Sequence, residues 1–229
     1  MNVWWVGSGC PWRILLLTLA LTGLPGCFMV APGVATVTYY DFGAGRPVIL
    51  PLDAYPVTLL VRDLRPEVVT RRKNPLYVGM AENGMGESRD VFNRDDCPVP
   101  VSVHSTPHCR SLADSVALRL KSPATTPKAG ASKGMVIVEL KSWSTRAGST
   151  MTLDYAIELY VRSATGENLA SSKASANGEN IDVERIGEIG FFNHAKREEQ
   201  LSVVVANVLD DKLKSLLTPP VIEALRDLR

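Results

Sequence analysis

Two cysteines and two histidines lie close together in one short segment, where they could bind a metal ion. The candidate ligands, with two aspartates just upstream, are Cys97, His104, His108, Cys109, Asp95 and Asp96. Two thiolates and two imidazoles suit a tetrahedral zinc site. The His104 to His108 spacing matches a metal-binding pair only on a helix, and the prolines of this segment oppose a helix. We therefore predict no bound metal and no cofactor, with zinc kept as an alternative.

The same two cysteines can instead form a disulfide. Cys97 and Cys109 are the two that remain after Cys10 and Cys27 are assigned to the N-terminal segment discussed below. An even pair suits an oxidising compartment, and a bridge across so short a loop stabilises by about 3 kcal/mol. We predict this bridge, with free thiols as the other alternative. A bridge would exclude the zinc site, because oxidised cysteines have no thiolates to bind the metal.

Patterns typical of catalysis are missing from the sequence. No lysine of a phosphate-binding loop follows Gly84-Met85-Gly86, and the serine of Gly7-Ser8-Gly9 lacks the spacing of a nucleophile elbow. Acidic residues are abundant, but their positions on an alternating strand or a polar loop favour a solvated face; examples are Asp154, Glu158, Glu184 and Glu188. We predict that the chain is not an enzyme, with a zinc- or thiol-dependent enzyme built on the loop from Cys97 to Cys109 kept as an alternative.

The N-terminus is organised as an export signal. Arg13 precedes the apolar residues 14–24, and Pro25-Gly26 follows them. A transmembrane helix needs about 20 apolar residues, so this run is too short and reads as a signal peptide over residues 1–26. Plain secretion and an uncleaved anchor remain as alternatives.

The end of that signal, Leu24-Pro25-Gly26-Cys27, resembles the lipobox of bacterial lipoproteins. The resemblance implies that Cys27 carries the lipid, palmitate included, and becomes the membrane anchor of the mature protein. Phe28 follows the cysteine where aspartate would imply retention, so the resemblance implies an outer-membrane lipoprotein facing the periplasm. Acyl chains contribute about 0.8 kcal/mol per buried methylene, which makes multiple acylation a stable anchor.

Composition limits the remaining chain to one ordinary domain. Removing residues 1–26 leaves about 200 of the 229 residues. Arg13 is the single charge lost from a chain of net charge +1, so the mature body is formally neutral and no attraction to nucleic acid is indicated. A hydrophobic content of 45% and a charged content of 21% are typical of a globular protein.

Glycine and proline spacing and hydrophobic periodicity place the elements. Residues 27–56 are rich in proline and glycine and predict a flexible tether with an extended piece at 35–42; residues 57–229 then form a single globular domain. Alternation predicts strands at 57–61, 76–80, 135–143, 151–162 and 169–176. Helical spacing predicts helices at 110–121, 196–217 and 221–228. We expect an α+β fold, an antiparallel sheet of about four to five strands with two helices packed on it.

Several of these segments resemble the YajG family of envelope lipoproteins. The likeness rests on strand 57–61 with Asp63 and Arg65 after it, Tyr77-Val78-Gly79 running into Asn83-Gly84-Met85-Gly86, strand 153–161, and Val208-Leu209-Asp210-Asp211 followed by Pro220-Val221-Ile222. A narrower likeness, in Thr38-Tyr39-Tyr40-Asp41-Phe42-Gly43, is to auxiliary lipoproteins of ABC-type lipid transporters. Both imply a non-catalytic protein: an envelope component that binds or scaffolds an envelope protein partner, or alternatively a transporter accessory that handles lipid between sheet and helix.

Overall fold

Seven strands and four α-helices are present in the part of the chain that the computed structural model describes, residues 38–40, 42, 48–82, 87–93, 110–121, 132–148, 150–181 and 194–229. These residues belong to one compact unit, Val37–Arg229. The strands are β1 (Thr38–Tyr40), β2 (Val57–Asp63), β3 (Tyr77–Glu82), β4 (Ser88–Asn93), β5 (Gly134–Ala147), β6 (Met151–Ser163) and β7 (Asn168–Ile181). The helices are α1 (Pro66–Val69), α2 (Leu112–Leu120), α3 (His194–Ser215) and α4 (Pro219–Asp227), with a 3-10 turn at Leu52–Ala54.

The predicted α+β class is confirmed, but the sheet is larger than predicted and mixed. Its strand order is β1-β4-β3-β5-β6-β7, with β2 also paired to β5. The β5-β6-β7 meander and the β3-β4 pair are antiparallel, whereas β1-β4, β2-β5 and β3-β5 are parallel. The prediction missed the parallel pairs because they join segments far apart in sequence, which local alternation does not report.

The domain begins earlier than the predicted boundary at residue 57. The sequence assigned residues 27–56 to the tether, yet β1 lies in this range and Tyr40 and Phe42 are fully buried. Ile49 N donates to Arg119 O at 2.7 Å, which attaches the following segment to the end of α2. Pro51 precedes the 3-10 turn and Pro56 lies in the turn before β2, so an abundance of proline and glycine does not by itself identify a free chain.

The core lies between the sheet and the helices. Strand β6 alternates as predicted, and every second side chain from Met151 to Val161 is buried on this side. Helix α3 contributes buried residues at helical spacing, namely Leu201, Val205, Leu209 and Leu213, and Leu216 just after its end is buried too. The Ser111 capping box starts α2, and proline in the first turn starts α4. The described interface between sheet and helices is therefore filled by packed side chains.

One buried ion pair joins α2 to α3, and its arginine also binds the N-terminal segment. Arg119 of α2 is 1% exposed, and its Nε donates to Asp210 Oδ1 of α3 at 2.5 Å. Its other nitrogens donate to Ser115 O at 2.8 Å and to Phe42 O. A buried charge needs such partners, because an unpaired one costs several kcal/mol.

A second buried arginine fixes the connection between β2 and β3. Arg65 is fully buried and binds Asp63 through Nε at 2.8 Å and Nη2 at 2.7 Å. It also donates to Tyr77 O and Pro75 O, at 2.5 and 3.0 Å. The two ends of the 64–76 segment are thus held by one guanidinium, since its five donors satisfy a carboxylate and carbonyls together.

None of the helices in the described ranges has both the length and the apolar character needed to cross a bilayer.

Candidate functional site

The face of the sheet that points away from the helices carries a row of charged side chains. Arg62 of β2 lies opposite Glu139 of β5, Glu139 lies opposite Glu158 of β6, and Glu158 lies opposite Lys173 of β7. We call these four residues, together with Lys141, the charged row. Their neighbours along each strand point to the core, because successive side chains of a strand alternate between faces.

The two glutamates oppose each other directly, an arrangement that like charges disfavour. A β-bulge between Leu140 and Ser142 places Lys141 as an extra residue on this face. Lys141 Nζ lies 2.7 Å from Glu139 Oε2 and 3.7 Å from Glu158 Oε2. The lysine therefore offsets the repulsion that the strand register creates.

Cations and carboxylates of the charged row differ in their access to solvent. The side chains of Arg62, Lys141 and Lys173 are 50%, 40% and 60% exposed. Those of Glu139 and Glu158 are only 14% and 20% exposed. A molecule that approaches this face from solvent meets positive charge first.

The ionisation states within the charged row are set by its hydrogen bonds. Tyr160 Oη donates to Glu158 Oε2 at 2.6 Å, which lowers the pKa of the Glu158 carboxyl and raises the pKa of the tyrosine. The hydrogen bond to Glu139 raises the pKa of Lys141. Each shift moves a pKa further from 7, so none of the three groups is poised to exchange a proton near that pH.

An apolar row lies beside the charged one. Leu60, Ile137 and Tyr160 face each other across β2, β5 and β6. Ile137 is only 3% exposed although it lies on the face opposite the helices, and Arg162 stacks 5.9 Å above the Tyr160 ring. The face therefore combines fixed charge with the partly exposed ring of Tyr160, and tyrosine and arginine are both enriched in protein–protein interfaces.

Replacing Tyr160 with phenylalanine is expected to raise the pKa of Glu158 toward its ordinary value, because the largest cause of its lowering is lost. A carboxyl with a lowered folded pKa stabilises the fold above its unfolded pKa, and this contribution is lost as pH falls through the folded pKa. The variant should thus lose that contribution at a higher pH than the wild type. NMR titration of the Glu158 side chain measures the shift. Lys173→Gln serves as the comparison, with a smaller expected rise, and an unchanged titration in Tyr160→Phe would contradict the assignment.

The structure does not place the cysteines and histidines that the sequence offers for chemistry. Cys27, Cys97, His104, His108 and Cys109 lie outside the described residues, so the disulfide, zinc and lipidation remain predictions. Within the described ranges, no group of three or more histidine, cysteine or acidic side chains could hold a metal ion.

Sequence reasoning named two of the carboxylates on this face but not the row they form. Glu158 belongs to the charged row, and Asp154 binds Gly178 N at 2.7 Å and so holds a second bulge, in β7. Glu184 and Glu188 lie outside the described residues. Four residues of the charged row were missed, and for Glu139 the available signal was its alternation with the apolar Val138 and Leu140.

Comparison with known proteins adds little. No protein-family model matches the sequence, and no curated protein matches it. A crystal structure of protein XCC0632 from Xanthomonas campestris, assigned to the family model DUF330, is 12% identical, with 85% of this chain and 95% of that chain covered. The TM-score is 0.37, which is too low to support an argument about fold or function.

Proposed function

We propose that this chain is an outer-membrane lipoprotein, anchored through Cys27, whose folded domain binds an acidic envelope protein and has no catalytic activity of its own. The observation that carries the proposal is the exposure of the charged row, in which cations stand outermost above shielded carboxylates. Complementary charge steers association and selects partners. The lipobox-like Leu24-Pro25-Gly26-Cys27 supplies the anchor.

The hydrogen bonding of the charged row also supports a binding role. The hydrogen bonds favour the charged forms of both groups, because they raise the pKa of Lys141 and lower the pKa of Glu158. Acid–base catalysts instead have pKa values tuned toward the working pH. Leu60 and Tyr160 of the apolar row are partly exposed and add contact area next to the charges.

The anchor is tested by labelling cells with palmitate and comparing wild type with Cys27→Ser. We expect label on the wild-type chain and its loss in the variant, because the cysteine sulfur is the predicted acylation site. Equal label in both chains would remove the anchor from the proposal.

The partner is tested by crosslinking in cells followed by identification of the crosslinked protein. Reversing the two most exposed charges of the charged row, in Arg62→Glu with Lys173→Glu, is expected to reduce its yield at least about tenfold, because like charges would then meet at the interface. The matched control reverses two exposed cations on the helices, Lys214 and Arg226. Recovery of no partner, or equal yields in all chains, would contradict the proposal.

A second candidate is an accessory lipoprotein of an ABC-type lipid transporter, which the resemblance of Thr38-Tyr39-Tyr40-Asp41-Phe42-Gly43 suggests. The segment that carries this likeness forms β1, and its Tyr40 and Phe42 are fully buried in the core. A lipid groove between sheet and helices has no support in the described residues, since that interface is packed. The same crosslinking experiment separates the candidates, because a transporter subunit as the captured protein would select the second.

A further inference from the structure

The short helix α1 ends in a turn with an unusual backbone. Arg71 follows α1 and has a φ of 58°, in the left-handed region where glycine or asparagine is usual. Arg71 N donates to Val68 O at 2.9 Å, and Lys73 N donates to Glu67 O at 2.8 Å. The turn is thus closed by hydrogen bonds while an arginine occupies its strained position. Such outliers persist where the side chain has a use.

The side chains of this turn are exposed and of two kinds. Val69 is 60% exposed, one of the large apolar side chains that the described part of the chain presents to solvent. Arg71 and Arg72 are exposed as well, and no ion pair joins either to an acidic group of the described residues. We call residues 69–72 the basic turn. The basic turn thus presents one apolar side chain next to two cations, and basic residues next to apolar ones favour contact with an anionic membrane surface.

Lys73 next to the basic turn has a different role, because it attaches the turn to the sheet. Its Nζ binds both carboxylate oxygens of Asp90 on β4, at 2.7 and 2.6 Å, and lies 5.0 Å from the centre of the Tyr77 ring. The other end of the segment is held by the buried Arg65. The basic turn is therefore presented from a fixed base.

The position of this base relates the basic turn to the N-terminal segment. Asp90 directly precedes Val91 in β4, and Val91 pairs with Thr38, the first residue of β1. The chain that leads back to Cys27 thus joins the domain beside the strand that holds the turn. Cys27 precedes Thr38 by about 11 residues, which can extend no further than roughly 40 Å. A membrane that holds Cys27 therefore lies within reach of this side of the domain.

We propose that the basic turn contacts the anionic headgroups of the bilayer, with Val69 at the headgroup boundary and Arg71 and Arg72 against the lipid phosphates. The inference rests on the proposed membrane anchor, to which it adds a second, electrostatic contact. One acyl signal combined with a basic patch binds membranes more firmly than either alone. The contact fixes which side of the domain faces the lipid.

Vesicle cosedimentation of the mature chain, residues 27–229 with Cys27→Ser and without the apolar run of the predicted signal peptide, tests the contact without acylation. Vesicles of phosphatidylcholine with an equal part of phosphatidylglycerol are compared with vesicles of phosphatidylcholine alone. Each basic residue near an anionic surface changes binding about fivefold, so Arg71→Gln with Arg72→Gln is expected to weaken partitioning to the anionic vesicles roughly 25-fold. Val69→Ser should weaken it further, and high salt should abolish the preference for anionic vesicles.

The matched control neutralises two exposed cations of the helices, in Lys214→Gln with Arg226→Gln, and should bind like the parent chain. Equal losses in both double variants would show a response to net charge alone and overturn the proposal. Unchanged binding of Arg71→Gln with Arg72→Gln to the anionic vesicles would overturn it too. That is the result expected if these arginines bind an acidic protein and not lipid. Because every chain here lacks Cys27, the outcome is independent of the palmitate experiment, whose failure would remove the anchor and leave this measurement standing.

Discussion

Replacing Arg119 with methionine is expected to lower the free energy of unfolding by about 3 to 5 kcal/mol, the cost of breaking a buried ion pair from one side. The substitution leaves the carboxylate of Asp210, a residue only 6% exposed, without its arginine partner. It also removes the donors to Phe42 O and Ser115 O. The effect should be seen in urea unfolding of the Cys27→Ser chain, as a lower midpoint at unchanged slope.

A second substitution distinguishes the ion pair from simple loss of packing. Arg119→Met combined with Asp210→Leu removes both charges, and apolar replacements of a buried pair are often neutral or stabilising. The double variant should regain more than half of the stability lost in the single one. A double variant as unstable as Arg119→Met alone would show that the buried charge of Asp210 is not the source of the loss.

Replacing Gly79 with alanine is the second change with a large expected effect, a loss of about 3 kcal/mol. Gly79 lies in β3 with φ at 155°, directly opposite Thr145 of β5. A Cβ atom there would lie 2.1 Å from Thr145 Oγ1 and 2.2 Å from Thr145 O. The neighbouring atoms include backbone of the central strand, so the clash cannot be relieved by rotating one side chain. Thermal unfolding measures the loss.

Gly166→Ala is the matched control for Gly79. Gly166 also has a positive φ, 88°, but nothing lies within 4 Å of the position that its Cβ would occupy. Its replacement isolates the backbone cost of about 1 to 2 kcal/mol from the clash. Similar losses in both variants would mean that the close approach of β3 and β5 does not determine the effect.

The elements predicted most accurately are those whose signal is local. Strand β6 was predicted at 151–162 and spans Met151–Ser163; helix α3 was predicted at 196–217 and spans His194–Ser215. Alternation and helical spacing are properties of neighbouring residues, so they can be seen without knowledge of the fold. The same holds for the α2 helix, whose predicted range 110–121 includes Leu112–Leu120 and its Ser111 cap.

The charged row and the buried pair could not be predicted in the same way. Arg62, Glu139 and Glu158 face each other only because β2 runs parallel to β5 in a particular register. Arg119 and Asp210 are 91 positions apart in the chain. Nothing local in the sequence indicates that an arginine near the end of an amphipathic helix is buried rather than solvated.

The pairing of both β2 and β3 with strand β5 fixes the orientation of the basic turn relative to the charged row. One edge of β5 is shared end to end by β2, which pairs as far as Leu140, and β3, which pairs from Thr145 onward. The segment that carries the basic turn connects β2 to β3, so both of its ends are held by strands that pair with β5. Glu139 lies near the end of the stretch that pairs with β2, and Lys141 lies between that stretch and the one that pairs with β3. The basic turn and the charged row therefore keep a fixed orientation relative to each other. Any contact that the basic turn makes also sets the direction in which the cations of the charged row face.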